Sequence, residues 1–93
     1  MPRMIVFHEV EDGETWARAW KQGSGSRHEM FSRIGATVRT FRDPGNPERT
    51  GVLLDVPDTA SFEAFMASEE AATAMEEDGL KVETMRILEE FTP

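Results

Sequence analysis

The chain has no cysteine and no tyrosine, and it carries 10 Lys and Arg against 18 Asp and Glu. Without cysteine there can be no disulfide, no thiolate metal site and no cysteine nucleophile. A reducing compartment suits such a chain, and the cytoplasm is the expected location. The formal charge of −8 sets up a field that repels phosphate backbones and anionic lipid, so neither nucleic acid nor a membrane is an expected partner. No apolar run approaches the roughly 18 residues of a membrane span. The stretch Met1 to Val10 lacks the length and cleavage pattern of a signal peptide. Two histidines and scattered carboxylates give no recognisable metal spacing, so no metal and no cofactor is expected. There is also no phosphate-cradling glycine loop and no Gly-x-Ser-x-Gly elbow.

What remains is a patterned chain. At 93 residues it fits one domain, residues 1–93, with a thin core, since a domain of this size hides only about 60 to 68% of the surface its unfolded chain exposes. Met4 to Val10 reads as a strand with Met4, Val6 and Val10 on one face and Ile5 and Phe7 on the other. Asp12 can cap a helix in which Trp16 and Trp20 form a buried stripe. Gly23-Ser24-Gly25-Ser26 interrupts that helix. In an unbroken helix Arg27 would fall about 20° from Trp16, a charge on the apolar stripe, so a kink or break at the glycines is expected, with Ser26 as a new cap. Phe31 and Ile34 continue the stripe, and Gly35 ends it.

Ala36 to Arg42 alternates as a second, wetter strand, with Val38 on one face and Arg39 and Phe41 on the other. Asp43 to Pro47 is a dense turn signal leading into a third, apolar strand, Val52 to Val56. A second helix follows, carrying Phe62, Phe65, Met66, Ala72 and Met75 on one side, with Ser68 as a possible internal cap. After Gly79, Lys81 to Phe91 alternates Val82 and Leu88 against Met85, Ile87 and Phe91 as a final strand.

Strand, helix, strand, strand, helix, strand is the split βαβ order. It predicts an α+β, ferredoxin-like βαββαβ domain: a four-stranded antiparallel sheet with two helices on one face and the first and third strands central. Those two strands are the most apolar, as central strands should be. Two helices shelter one sheet face only, yet the first strand is apolar on both. A second copy packed sheet to sheet is the expected cover, making a homodimer that buries about 1,600 Å² if ordinary in size.

The frame Trp16-x3-Trp20, Gly35-Ala36-Thr37, Phe41-Arg42-Asp43-Pro44, Val52-Leu53-Leu54-Asp55-Val56-Pro57-Asp58 and Phe62-x2-Phe65-Met66-Ala67-Ser68 through Gly79 resembles the dimeric α/β-barrel superfamily. That group includes antibiotic-biosynthesis-monooxygenase-like, cyclase-like and stress-responsive barrel proteins. The resemblance implies a barrel made by the two sheets of a dimer and a ligand pocket between each sheet and its helices. Haem-degrading members use an asparagine on the first strand with a tryptophan and a histidine from the second half. This chain has His8 on that strand and no Trp or His after residue 28, which disfavours haem degradation.

Few residues could carry chemistry. His8 alternates with Val6 and Val10 on a central strand, where an imidazole is either a hydrogen-bonded structural group or a general base beside a pocket. His28 follows the glycine break and is either solvated or at the edge of a cleft. Trp16 and Trp20 serve as core or as the wall of an apolar ligand site. Arg39, with Phe41 beside it, could receive an anionic group or pair across subunits. Glu69-Glu70 and Glu76-Glu77-Asp78 read as solvated charge. Three functions compete: a dimer binding a small apolar or aromatic ligand; a cofactor-independent monooxygenase, isomerase or cyclase with His8 or His28 as base; and a structural or stress-associated dimerisation module. A dry pocket of roughly 300 Å³ touching either histidine would favour the first two.

Overall fold

Local signals set the boundaries of eight elements in the computed structural model, which describes residues 2–21 and 23–93. They are β1 (Arg3–Val10), α1 (Gly13–Trp20), α2 (Arg27–Ser32), β2 (Thr37–Asp43), β3 (Asn46–Asp55), α3 (Thr59–Met66), α4 (Glu69–Glu77) and β4 (Leu80–Glu89). The strands form one antiparallel sheet in the order β2-β3-β1-β4, with β1 and β3 central as expected. This is the α+β ferredoxin-like fold.

Each of the two expected helices is divided in two, at the glycine-serine stretch and at Ser68. Asp12 accepts from the Glu14 amide at 3.0 Å, Ser26 from Glu29 at 3.2 Å, Asp58 from Ser61 at 2.7 Å and Ser68 from Ala71 at 3.2 Å. A side-chain cap satisfies amides that the first helical turn leaves without a partner, so every helical segment starts where its sequence places a capping oxygen. Gly35 and Gly79 adopt φ of +77° and +69° at the ends of the helical runs, a region that disfavours any Cβ.

Two strands differ from expectation. The third begins at Asn46, six residues before Val52, because the hairpin needs only Pro44 and Gly45 to turn. Asp43 accepts from the Gly45 amide at 2.8 Å and closes it. The β2–β3 register jumps from Arg42↔Thr50 to Asp43↔Asn46, so Pro47, which has no amide hydrogen to donate, falls inside the irregularity where none is required. In β4 the simple alternation fails. Phe7 pairs with Arg86 but Glu9 pairs with Lys81, leaving Val82 to Met85 as a long bulge opposite His8. Phe91 lies beyond the strand and is exposed.

The core lies between the sheet and the helices. Met4, Val6 and Val10 of β1 lie beside Val52 and Leu54 of β3 on one sheet face, and Trp16, Trp20, Phe31, Phe62 and Phe65 of the helices cover them. The other sheet face has no helix. There Ile5 aligns with Leu53 and Leu88, and Phe7 aligns with Gly51, which stands between it and Phe41. Phe7, Phe41 and Leu88 are 47%, 56% and 56% exposed. No helix among the described residues is long and apolar enough to cross a membrane.

Candidate functional site

His8 is carried on β1 with its side chain on the helix side, 5% exposed. Its backbone is well held, since the Thr50 hydroxyl donates to the His8 carbonyl at 2.9 Å. Its ring is not: among the described residues no protein group hydrogen-bonds Nδ1 or Nε2. An uncharged imidazole offers one donor and one acceptor, and leaving such groups buried without partners costs about 1–3 kcal/mol. Burial pushes the His8 imidazole down to about 4, from an ordinary value near 6.5, so the ring is neutral at physiological pH.

The ring faces a narrow cavity of about 60 Å³ beneath the helices. Val52 shares the floor with it; Met30 and Phe31 come from α2, Phe65 from α3 and Ala74 from α4. Met85, delivered by the β4 bulge, completes the wall. In the same bulge Thr84 accepts from the Glu9 amide at 2.9 Å and donates to the Lys81 carbonyl at 2.6 Å, which satisfies backbone groups that the interrupted ladder leaves over. Bulges of this sort re-aim side chains beside functional sites. The space falls short of the roughly 300 Å³ that would favour a ligand or substrate site, and by that measure alone it favours the dimerisation-module reading, though it exceeds the ~10–15 Å³ that one water needs.

Aromatic rings continue away from His8. Its ring meets Trp16 edge-on at 6.1 Å; Trp16 meets Trp20 at 6.0 Å; Trp20 stacks on Phe31 at 5.8 Å and touches His28 edge-on at 5.7 Å; Phe31 reaches Phe65 at 5.1 Å. The two histidines thus stand at opposite ends of the tryptophan pair. His28 is half-buried and does not line the His8 cavity. The indole Nε1 of Trp16 is a further buried donor that no protein group among the described residues accepts from.

The expected ligand residues are divided between places. Trp16 and Trp20 stand in the core, and Trp20 lines the His8 cavity. Both also line a wider groove of about 490 Å³ between α1 and β2, which Phe41 borders, and where Arg42 pairs with Glu14 at 3.4 Å. Arg39 aligns with Leu53 on the helix-free face, and Phe41 lies across Gly51 from Phe7 on that same face. Neither Arg39 nor Phe41 lines the His8 cavity.

One element of the site escaped the sequence pattern. Asp78, read as solvated charge, is 5% exposed and accepts from Arg27 through both carboxylate oxygens, with Nη2 to Oδ1 at 2.8 Å and Nε to Oδ2 at 3.1 Å. Arg27 also reaches Glu77 at 3.4 Å. The Asp78 hydrogen bond and charge raise the Arg27 guanidinium further, so it stays charged. Both residues line the His8 cavity. The phase conflict at Arg27 was a clue that this charge needed a partner, but the two residues are 51 positions apart.

The neutral ring has a measurable consequence. Its pKa is lower in the folded state, so the unfolded chain binds more protons between about pH 6.5 and pH 4, and stability falls as pH drops through that window. The expected loss is on the order of 2–3 kcal/mol. His8→Leu is expected to flatten this acid slope and to raise stability at pH 7 by about 1–2 kcal/mol, because two buried polar atoms without partners disappear. Urea titrations of both proteins at pH 7 and about pH 4.5 measure this. A variant no more stable than the parent, with the same slope, would contradict the assignment.

No protein-family model and no curated protein matches the chain. Solved structures do. A protein of Nitrosomonas europaea named for antibiotic biosynthesis monooxygenases superposes with a TM-score of 0.71 at 15% identity, covering 99% of this chain and 98% of that one. One of Bordetella bronchiseptica with the same naming gives 0.70 at 16% identity, covering 99% and 96%. An antibiotic biosynthesis monooxygenase crystal structure gives 0.70 at 12% identity, covering 100% and 99%. End-to-end superposition with so little shared sequence identifies the architecture: this chain has the ferredoxin-like fold on which the antibiotic biosynthesis monooxygenases are built.

Proposed function

We propose that the protein is a homodimer that binds a small, uncharged, apolar or aromatic ligand between sheet and helices, with His8 as the hydrogen-bonding group of the site. The observation that carries this reading is the His8 ring: buried, neutral, facing a cavity, with both nitrogens unpaired. A ligand hydroxyl or carbonyl seated in the cavity would satisfy the ring. The apolar lining and the absence of a free charge at the ring favour an uncharged ligand. The dimer is supported by the helix-free face, where Ile5, Phe7, Phe41 and Leu88 are exposed side by side with Leu53.

Phenol, uncharged and carrying one hydroxyl, serves as the probe. Titration is expected to move backbone amide resonances of β1 and α2 saturably at millimolar concentration, and His8→Leu is expected to weaken binding about tenfold. Absence of saturable shifts, or equal binding by the variant, would count against the ligand reading.

A second reading has its own support. A neutral imidazole can accept a proton, and the similar structures are named as monooxygenases, so cofactor-independent oxygenase, isomerase or cyclase chemistry with His8 as base is the alternative. His28, outside the cavity, would then need another pocket. Turnover of a small aromatic substrate that vanishes in His8→Leu but survives in His28→Ala would favour this reading over simple binding.

A further inference from the structure

We propose that α2 is a hinged flap over the His8 cavity, latched shut by the Arg27–Asp78 pair. The inference rests on the cavity being a ligand site. A space of about 60 Å³ is too small for an aromatic metabolite, so some part of its wall must move to admit one. The two ends of α2 differ in how firmly they are held.

At its C-terminal end the chain is packed tightly. Gly35 has a φ of +77°, and a Cβ there would lie 2.9 Å from the Pro57 ring. The Ala36 amide donates to the Phe31 carbonyl at 3.1 Å, tying the end of the helix to the start of β2. At the N-terminal end Gly23 and Gly25 adopt φ of +141° and +79°, and among the described residues nothing lies within 4 Å of where their side chains would be. Residues without side chains, standing in open space, give this connection rotational freedom that other residues lack. Such a difference between ends makes a flap that pivots near Gly35 and lifts at Arg27.

The N-terminal end is kept down chiefly by the buried Arg27–Asp78 pair, with the weaker Arg27–Glu77 contact at 3.4 Å and the Trp20–His28 edge contact beside it. Arg27 is the first residue of α2, and its guanidinium forks onto Asp78 at the end of α4. A further tie between α2 and α4, Arg33 to Glu70 at 2.7 Å, is at the pivot end and exposed, so it restrains lifting weakly. Met30 and Phe31 ride on the flap and form part of the cavity wall, so lifting α2 opens the space directly above His8 and Val52. A bidentate charged pair suits a latch because it either holds or is broken, with little between.

The absence of native cysteine allows a test that needs no ligand. Val52→Cys places a thiol on the cavity floor, and Val56→Cys, fully buried outside the cavity, reports global unfolding. Labelling with a chromogenic disulfide reagent is expected to be at least about tenfold faster for the thiol on the cavity floor than for the one at position 56. Adding Asp78→Asn is expected to accelerate labelling at position 52 about tenfold further and to leave that labelling insensitive to low urea, whereas labelling at position 56 keeps the steep urea dependence of global unfolding. Arg27→Lys keeps the charge but loses the fork, and should give a smaller acceleration of the same kind, which secures the test if Asp78→Asn folds poorly. No acceleration at position 52, or labelling there with the same steep urea dependence as at position 56, would overturn the latch. Acceleration accompanied by faster amide exchange throughout Ala71 to Glu77 would put the movement in α4 and overturn the assignment to α2. Because labelling is independent of phenol binding, loss of the flap and loss of the ligand reading are separable results.

Discussion

Phe7→Asp is expected to convert the protein from a species of twice the 10.5 kDa chain mass into a monomer at micromolar concentration. Phe7 is 47% exposed on the helix-free face, at a central strand, with Gly51 on one side and Arg86 on the other. Gly51 leaves a gap between Phe7 and Phe41, a recess into which a facing side chain can pack. In the proposed dimer a carboxylate here would be buried in an apolar seam, at a cost of several kcal/mol on each side of the two-fold axis. A loss of about 3 kcal/mol is already roughly a hundredfold in dissociation constant. In the monomer the same carboxylate stands in water beside Arg86, so the fold should survive. Sedimentation velocity over a dilution series, with circular dichroism on the same samples, separates the two effects. A parent chain that sediments at 10.5 kDa throughout would remove the dimer, and a variant that sediments like a dimeric parent would move the interface elsewhere.

Trp20→Ala should have the largest effect on stability. The Trp20 ring touches Trp16, His28 and Phe31 and so joins α1 to α2 across the broken connection. Removing a buried indole leaves a large cavity and costs about 3–5 kcal/mol. Against the roughly 5–15 kcal/mol typical of a small domain, that is about a fifth of the total or more, and a fall in Tm on the order of 15–30 °C follows for a chain of this length. Near-ultraviolet dichroism should collapse as well, because the coupled indole pair is lost. The measurement is a thermal melt followed at two wavelengths; a fall of less than about 5 °C would mean that Trp20 is not the hub of the core. Phe31→Leu, which keeps an apolar group on α2, should cost about half as much or less.

These two residues also illustrate how much of the molecule can be read along the chain. The in-and-out alternation of β1 separates Phe7 from Val6 without reference to anything distant, and the spacing of Trp16 and Trp20 puts both rings on one helical face. The interruption at Gly23 to Ser26 was legible because glycine, a capping serine and the phase of Arg27 all argue for it within a short stretch. The same holds at Ser68. The β4 alternation misled because Val82 to Met85 bulge away from the ladder, and a bulge is a relation between two strands that no single strand records. The site was legible only in outline. His8 stood out by its position among valines, but the loneliness of its ring nitrogens depends on what the helices fail to bring near it.

Local order along the chain was enough for the element sequence, the caps, the break in the first helical run and the two apolar faces of β1, because each is settled by sterics and hydrogen bonding within one or two turns of chain. Only the folded molecule places Asp78 in a buried pair with Arg27, sets Arg39 and Phe41 on the face away from His8, and leaves a small cavity over the imidazole. Those facts depend on contacts between residues far apart in the chain and on the volume left when side chains of unequal size close over a sheet, and neither quantity is written in the local order of residues.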